Sequence, residues 1–281
     1  MRRTPDYLVI GHATRDVTSD GGFLVGGTVT YSGLTASRLG LRVAVLTSAD
    51  PALPLFGDDP SIQVQCRPAS NTTTFENVYA SGGRQQHLRA VAELLTPADL
   101  PTGWEQAPIV HLGPIAQEVD TALISAFPNA LLGITPQGWL RHWDEQGLVT
   151  PQPWAFSPDL LQAADAIVLS PEDVGGDQGQ IDLFRQYARV CVLTVGRSGA
   201  IVYQGQDKVR VPAYQANDVD PTGAGDVFAT AFFIRLYETR DAIEAARFAN
   251  AAASFVIEGP GTCRIPSRPQ VEWRLRHGRL I

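Results

Sequence analysis

Apolar residues recur along the chain as short continuous runs. Tyr7-Leu8-Val9-Ile10, Val43-Ala44-Val45-Leu46-Thr47, Ile109-Val110-His111-Leu112, Leu131-Leu132-Gly133-Ile134, Ala166-Ile167-Val168-Leu169 and Val190-Cys191-Val192-Leu193-Thr194 have the length of strands buried on both faces. Helical spacing is expected between several of them: near Glu118 to Ala126, after Asp226, and from Asp241 to Ile257. Strand and helix in alternation predict an α/β fold with a doubly wound, mainly parallel sheet. Other stretches alternate apolar with polar, as half-exposed strands do. Residues 62–66 are one, and residues 72–79 and 84–88, joined through Ser81-Gly82-Gly83, form a hairpin pattern. The segment Glu145 to Pro158 is rich in Pro, Gln and Gly and reads as a loop. Because the alternation resumes at Ala166, residues 1–281 are expected to form one domain.

Composition narrows the function classes. A chain of 281 residues with 44% hydrophobic side chains can bury a large core. A net charge of −7 argues against nucleic acid or an anionic membrane as main partner. Lys208 is the only lysine, and 20 prolines accompany one methionine, which suggests a GC-rich or thermophilic source. Cys66, Cys191 and Cys263 lie far apart with no C-x-x-C, as expected of reduced thiols. No apolar run reaches the roughly 18 residues of a membrane span, and the first apolar segment is too short for a signal peptide. A soluble cytoplasmic protein is expected.

The chemistry concentrates at Asp218-Val219-Asp220-Pro221-Thr222-Gly223-Ala224-Gly225-Asp226 and the apolar run that follows. Small residues leave backbone N–H groups uncovered where a helix begins, and that end carries positive dipole. Asp226 falls in the first turn, where a carboxylate is favoured. An anion-wrapping turn beside a fixed carboxylate suits phosphoryl transfer. A capped buried helix is the plainer alternative. The full stretch D-P-T-G-A-G-D, however, resembles the signature of the ribokinase, or PfkB, family of carbohydrate kinases. The resemblance implies that Asp226 is the catalytic base and that Thr222, Gly223, Ala224 and Gly225 form the anion hole.

Further stretches follow the family's order. Gly26-Gly27 precedes a helix ending in Arg38-Leu39-Gly40, like the family's first signature. Ribokinases carry an asparagine five residues after the first glycine of that pair. Here Tyr31 stands instead, which counts against ribose as acceptor. Gly11-His12-Ala13-Thr14-Arg15-Asp16 matches the family spacing that places an aspartate on sugar hydroxyls, and two carboxylate oxygens suit a polyol. Alone, Asp16 reads first as a turn aspartate, and the family spacing is what adds weight to a substrate contact. The resemblance makes strands near 12–30 and 70–90 a lid, with Phe75 and Tyr79 as candidate covers and Gly26, Gly27 and Tyr31 beside the substrate. It also leaves a homodimer through that lid open.

On the donor side, Thr194-Val195-Gly196-Arg197-Ser198-Gly199 resembles the family's T-x-G-x-x-G against ATP. Asn250 lies on a helix resembling the adenine-side helix, and Gly261 in a loop that borders the nucleotide. Ser170 and Asp173 occupy the places of the family's N-x-x-E, with Glu172 adjacent. They can meet a hydrated magnesium, or simply cap a helix; the letters fit both. Asp220 is the candidate for a monovalent cation such as K+. Arg141 is read as a solvated helix residue and Arg274, Arg276 and Arg279 as a solvated tail helix. No P-loop, G-x-G-x-x-G after a strand or H-E-x-x-H occurs. The resulting expectation is an ATP- and Mg2+-dependent kinase of a small sugar or polyol, nearest the inositol-kinase branch. A nucleoside kinase, a catalytically weak ligand sensor and a Rossmann-type oxidoreductase are the alternatives.

Overall fold

A computed structural model describes residues 4–18, 20–56, 59–80 and 83–281. The first strand, β1 (Tyr7–Ile10), is followed by β2 (Thr14–Val17), β3 (Phe23–Gly26), helix α1 (Thr28–Arg38) and β4 (Val43–Ala49). Next come β5 (Ile62–Pro68), β6 (Thr73–Ala80), β7 (Gly83–Ala90), β8 (Ile109–Leu112) and β9 (Leu131–Ile134). The chain continues through β10 (Arg141–Trp143), β11 (Val149–Pro151), α2 (Asp159–Ala163), β12 (Ala166–Leu169), α3 (Gln178–Tyr187) and β13 (Cys191–Thr194). It ends with β14 (Ala200–Gln204), β15 (Asp207–Val211), α4 (Ala224–Thr239), α5 (Ala242–Val256) and α6 (Arg268–His277).

Nine strands form one sheet in the order β15-β14-β13-β12-β9-β8-β1-β4-β5. It is parallel from β5 to β13 and antiparallel only at β13-β14-β15. Alternate residues of each strand feed two separate cores. Tyr7, Val9, Val43, Val45, Ile109 and Val168 pack with α1, α4 and α5. Leu8, Ile10, Leu46, Leu112, Ile134 and Ile167 pack on the opposite face with α2, α3 and the tryptophans Trp104, Trp139 and Trp154. Helices on both faces explain why these strands are apolar at every position. The fold is the doubly wound, mainly parallel α/β architecture that the pattern predicts.

A second sheet, β3-β2-β6-β7, leaves the first at the carboxyl end of β1. The hairpin expected over 72–88 is present as β6 and β7, with Ser81 and Gly82 outside the described residues. Four expectations fail. No α-helix covers Glu118 to Ala126: only a 3-10 turn spans Thr121–Ala126, and it halts at Phe127 before Pro128, which disfavours helical backbone in the residue ahead of it. Glu118 is buried, and its carboxylate accepts N–H groups of His12, Ile115 and Ala116. The loop at 145–158 contains β11, and Arg141 opens β10 rather than riding a helix. In the tail, Arg274 is not solvated: it pairs with Glu258 at 3.2 Å and lies over the Phe255 ring.

Candidate active site

Helix α4 starts without a side-chain cap, and its first amide, the Ala224 N–H, turns back onto the Pro221 carbonyl at 3.2 Å. Gly223 makes the turn, with φ of 77° in the left-handed region. A side chain is excluded there twice, since a Cβ would stand 2.2 Å from the Tyr31 ring. Tyr31, buried in α1, is thus the floor on which the turn rests. Burial and the nearby Asp226, Asp16 and Asp220 carboxylates keep its phenol protonated. Asp220 fastens the turn from the other side. Its carboxylate accepts the Thr222 N–H at 3.0 Å and the Gly261 N–H at 3.1 Å, joining residues 220–222 to the loop after α5.

Asp226 is half-buried one residue inside this turn. Burial pushes its carboxyl up to about 6. A Thr28 hydroxyl hydrogen bond opposes that shift, Asp173 reinforces it, Arg141 opposes it and Asp16 adds to it. The carboxyl therefore sits where groups from α1, the β12 end and the second sheet are all felt. Beneath it runs a buried chain of hydrogen bonds. The Tyr7 hydroxyl meets His111 Nδ1 at 2.9 Å and donates to Thr230 Oγ1 at 3.2 Å, and His111 Nε2 meets Thr135 Oγ1 at 2.9 Å. Burial lowers His111 to about 3, so the ring is neutral and serves as a rigid support. Thr28 was missed in the sequence. Its one signal was its place directly after Gly26-Gly27.

On one side of Asp226 lies the second sheet. Asp16 on β2 stands opposite Phe75 on β6, and Thr14 donates to Asp16 Oδ1 at 3.2 Å. A Cβ on Gly26 would sit 2.2 Å from Asp16 Oδ2, so only glycine lets that carboxylate lie against the backbone. Gly27 turns the chain into α1 at φ of 86°. Phe75 is 3% exposed, covered by the Arg141 guanidinium at 5.4 Å. The Tyr79 side chain lies outside the described residues.

On the other side is a cavity of about 380 Å³. Thr194, Gly196 and Gly199 line it from the β13–β14 turn, Ala224 and Gly225 from the anion turn, and Asn250 from α5. Phe228, Ala253 and Ile257 add apolar wall, and the Arg197–Asp218 pair at 3.0 Å sits at its edge. A site of this size and lining suits a nucleoside-sized group. The Asn250 amide nitrogen donates to the Val211 and Pro212 carbonyls, at 3.1 and 3.0 Å, and so shapes the wall. Thr222 is exposed, and Gly261 meets the site through Asp220.

Ser170 and Asp173 form a reciprocal cap. Asp173 Oδ2 accepts the Ser170 N–H at 2.7 Å, and the Ser170 hydroxyl accepts the Asp173 N–H at 3.3 Å. Gln137 donates to the other Asp173 oxygen at 2.8 Å, and Glu172 is exposed. Among the described residues no group of three or more His, Cys, Asp or Glu is placed to enclose a metal. That donor set fits a magnesium ion that keeps its waters, and it does not fit a closed cage.

Residues 176–268 match the sequence profile of the pfkB family carbohydrate kinases. Similar curated proteins include a nucleoside kinase of Methanothermobacter thermautotrophicus, 40% identical over 73 residues, which is 26% of this chain and 23% of that one. Another is the probable fructokinase-5 of Arabidopsis thaliana, 31% identical over 162 residues, 52% of this chain and 46% of that one. The alignments thus span less than half the length of either relative. Among solved structures, a pyrophosphate-dependent kinase in the ribokinase family, complexed with a pyrophosphate analog and myo-inositol, superimposes with a TM-score of 0.79. It is 24% identical, covering 95% of this chain and 99% of that one. No helix among the described residues is long and apolar enough to cross a membrane.

Proposed function

We propose, for a chain whose residues 176–268 match the pfkB carbohydrate kinase profile and whose fold is ribokinase-like, transfer of the γ-phosphoryl group of ATP to a hydroxyl of a small sugar or polyol. The observation that carries this reading is the position of Asp226. It lies in the first turn of an uncapped helix whose Ala224 and Gly225 line a nucleoside-sized cavity, and it feels the charge of Asp16 on the second sheet. Asp16 orients the acceptor by taking hydrogen bonds from its hydroxyls. Asp226 takes the proton of the attacking hydroxyl, and its raised affinity for protons suits a base working near neutrality. The amides of Gly223 and Gly225 stabilise charge on the moving phosphoryl group, and the Ala224 amide, expected to join them, instead donates to the Pro221 carbonyl and holds the turn. Ser170, Glu172 and Asp173 would meet, through water, a magnesium ion that arrives with the nucleotide, and the ion would supply charge neutralisation at the phosphates. Potassium at Asp220 would share that carboxylate with the Thr222 and Gly261 amides. The second sheet acts as a lid that excludes competing water.

The open cavity beside Gly225 supports ATP over pyrophosphate as donor. A nucleoside acceptor is the second reading, favoured by the likeness to the Methanothermobacter nucleoside kinase. Phe75 would be its stacking partner, but that ring is already covered, which supports a polyol. The myo-inositol bound by the structural neighbour puts inositols first in the test. That test is an acceptor screen across inositols, hexoses, pentoses and nucleosides, with ATP and pyrophosphate each offered as donor. Acceptor-dependent ADP formation is expected; no turnover with any pair would leave a ligand sensor.

A further inference from the structure

The sequence offers Arg141 as a surface residue, but the fold brings it into the site. The residue is half-buried at the start of β10. One guanidinium nitrogen donates to the Ile115 carbonyl at 3.0 Å, and the group lies over the Phe75 ring. Phe75 faces Asp16 in strand register, so Arg141 stands beside the acceptor cleft. Its charge also favours the ionised form of Asp226. The guanidinium therefore rests against the second sheet and near enough to Asp226 for its charge to be felt there.

The backbone that carries Arg141 is tied to the lid. The loop joining β10 to β11 clasps β7: Leu88 N–H donates to the Gly147 carbonyl at 2.8 Å, and Arg89 donates to the Gln146 carbonyl at 3.1 Å. His87 pairs with Leu148 as an isolated bridge. Gln117 anchors the root of the hairpin by donating to the Arg141 carbonyl at 2.5 Å. Any closure of β6 and β7 must move this hairpin with it.

We propose that Arg141 is a further catalytic residue, the cation that receives the phosphoryl group on the acceptor side, and that the β10–β11 hairpin couples its placement to the lid. The inference rests on the kinase reading above. In the step it serves, the bond between the γ-phosphorus and the β,γ-bridging oxygen breaks, and that electron pair leaves with ADP. The acceptor oxygen forms the new bond to phosphorus, and its proton passes to Asp226. The migrating group keeps its negative charge throughout. The anion turn holds it at the donor end and Arg141 holds it at the acceptor end. A planar guanidinium presents its N–H donors in a fixed fork that matches phosphate oxygens.

The test compares Arg141→Gln and Arg141→Lys with the full-length wild type, using the best acceptor from the screen and the phosphorylated product that the enzyme makes from it. Removing one such transition-state donor typically costs about 10²–10³ in turnover. Arg141→Gln should therefore lower kcat by about 10²-fold, change the KM for ATP less than about two-fold, and weaken product binding far more than acceptor binding. Arg141→Lys should recover about ten-fold of the loss, and added guanidinium ion should partly rescue Arg141→Ala. Thermal unfolding of each variant separates these effects from misfolding. An active wild type whose Arg141→Gln variant keeps normal kcat, or loses acceptor and product affinity equally, overturns the role of Arg141 alone. A wild type with no turnover overturns the kinase reading, and this inference with it.

Discussion

At the scale of single residues, the site depends on a carboxylate that folding makes harder to ionise. Asp226 has an ordinary value of 3.8 and is pushed up to about 6, chiefly by burial. The folded state thus holds a proton that the unfolded state has already lost between those values. Stability falls as pH rises through that window, and above about 6 the full penalty applies. Asp226→Asn should therefore stabilise the fold at pH 7.5 by on the order of 1 kcal/mol once solvent access is allowed for, raising the unfolding temperature there and changing it little at pH 4. The same variant should keep ATP binding and lose about 10²–10⁴ in turnover. The wild-type rate should fall on the acid side with a midpoint near 6. Rates that hold steady to pH 4, or a variant that turns over normally, would remove Asp226 as the base. Gly225 gives a cleaner separation of site from scaffold, because a Cβ there meets nothing within 4 Å. Gly225→Ala should fold with an unfolding temperature within about 2 °C of wild type, since the helix change is worth less than about 1 kcal/mol. Its methyl group would nevertheless project beside the nucleotide cavity, and the KM for ATP should rise at least several-fold. An unchanged KM would mean that the donor does not approach this turn.

At the scale of elements, the helix starts carry the chemistry, and capping decides which of them are free to do so. Helix α5 is capped by Asp241, which accepts the Ile243 and Glu244 N–H groups, and the 3-10 turn Pro171–Val174 by Ser170 and Asp173. Only α4 among these three starts uncapped, on a glycine. The Ser170–Asp173 cap bears on the magnesium question. Asp173→Asn keeps one acceptor oxygen, so it should cost no more than about 1 kcal/mol in stability. If the carboxylate also meets hydrated magnesium, the concentration for half-maximal rate should rise several-fold. An unchanged magnesium titration would leave Asp173 as a cap and nothing more. The strands were legible because burial on both faces leaves an unbroken apolar run. The failed helix near Glu118 was not, because Glu118 serves the backbone amides of His12, Ile115 and Ala116 instead of extending a local turn.

At the scale of the whole molecule, the lid is a shared structure and not a flap hung on β1. Its outer strand β7 is fastened to residues 146–148, which belong to the hairpin rooted at Arg141. Acceptor binding should therefore slow amide hydrogen exchange in residues 84–90 and 144–151 together, by about ten-fold or more, while Cys191–Thr194 exchange stays unchanged. Protection of β7 without the hairpin would show that the clasp opens and that Arg141 moves independently. Sequence by itself determined what neighbours along the chain can enforce. It set the alternation of buried strands and helices, the glycine-marked start of α4, the carboxylate at its third residue, and the family that these letters resemble. Tertiary structure alone decided what those features touch. It put Tyr31 under Gly223, Thr28 on Asp226, Gly261 on Asp220 and Arg141 over Phe75. The reason is that strand and helix signals come from local spacing and solvent exposure. A contact between residues 31 and 223, or 75 and 141, leaves no periodic trace and exists only once the sheets have closed on each other.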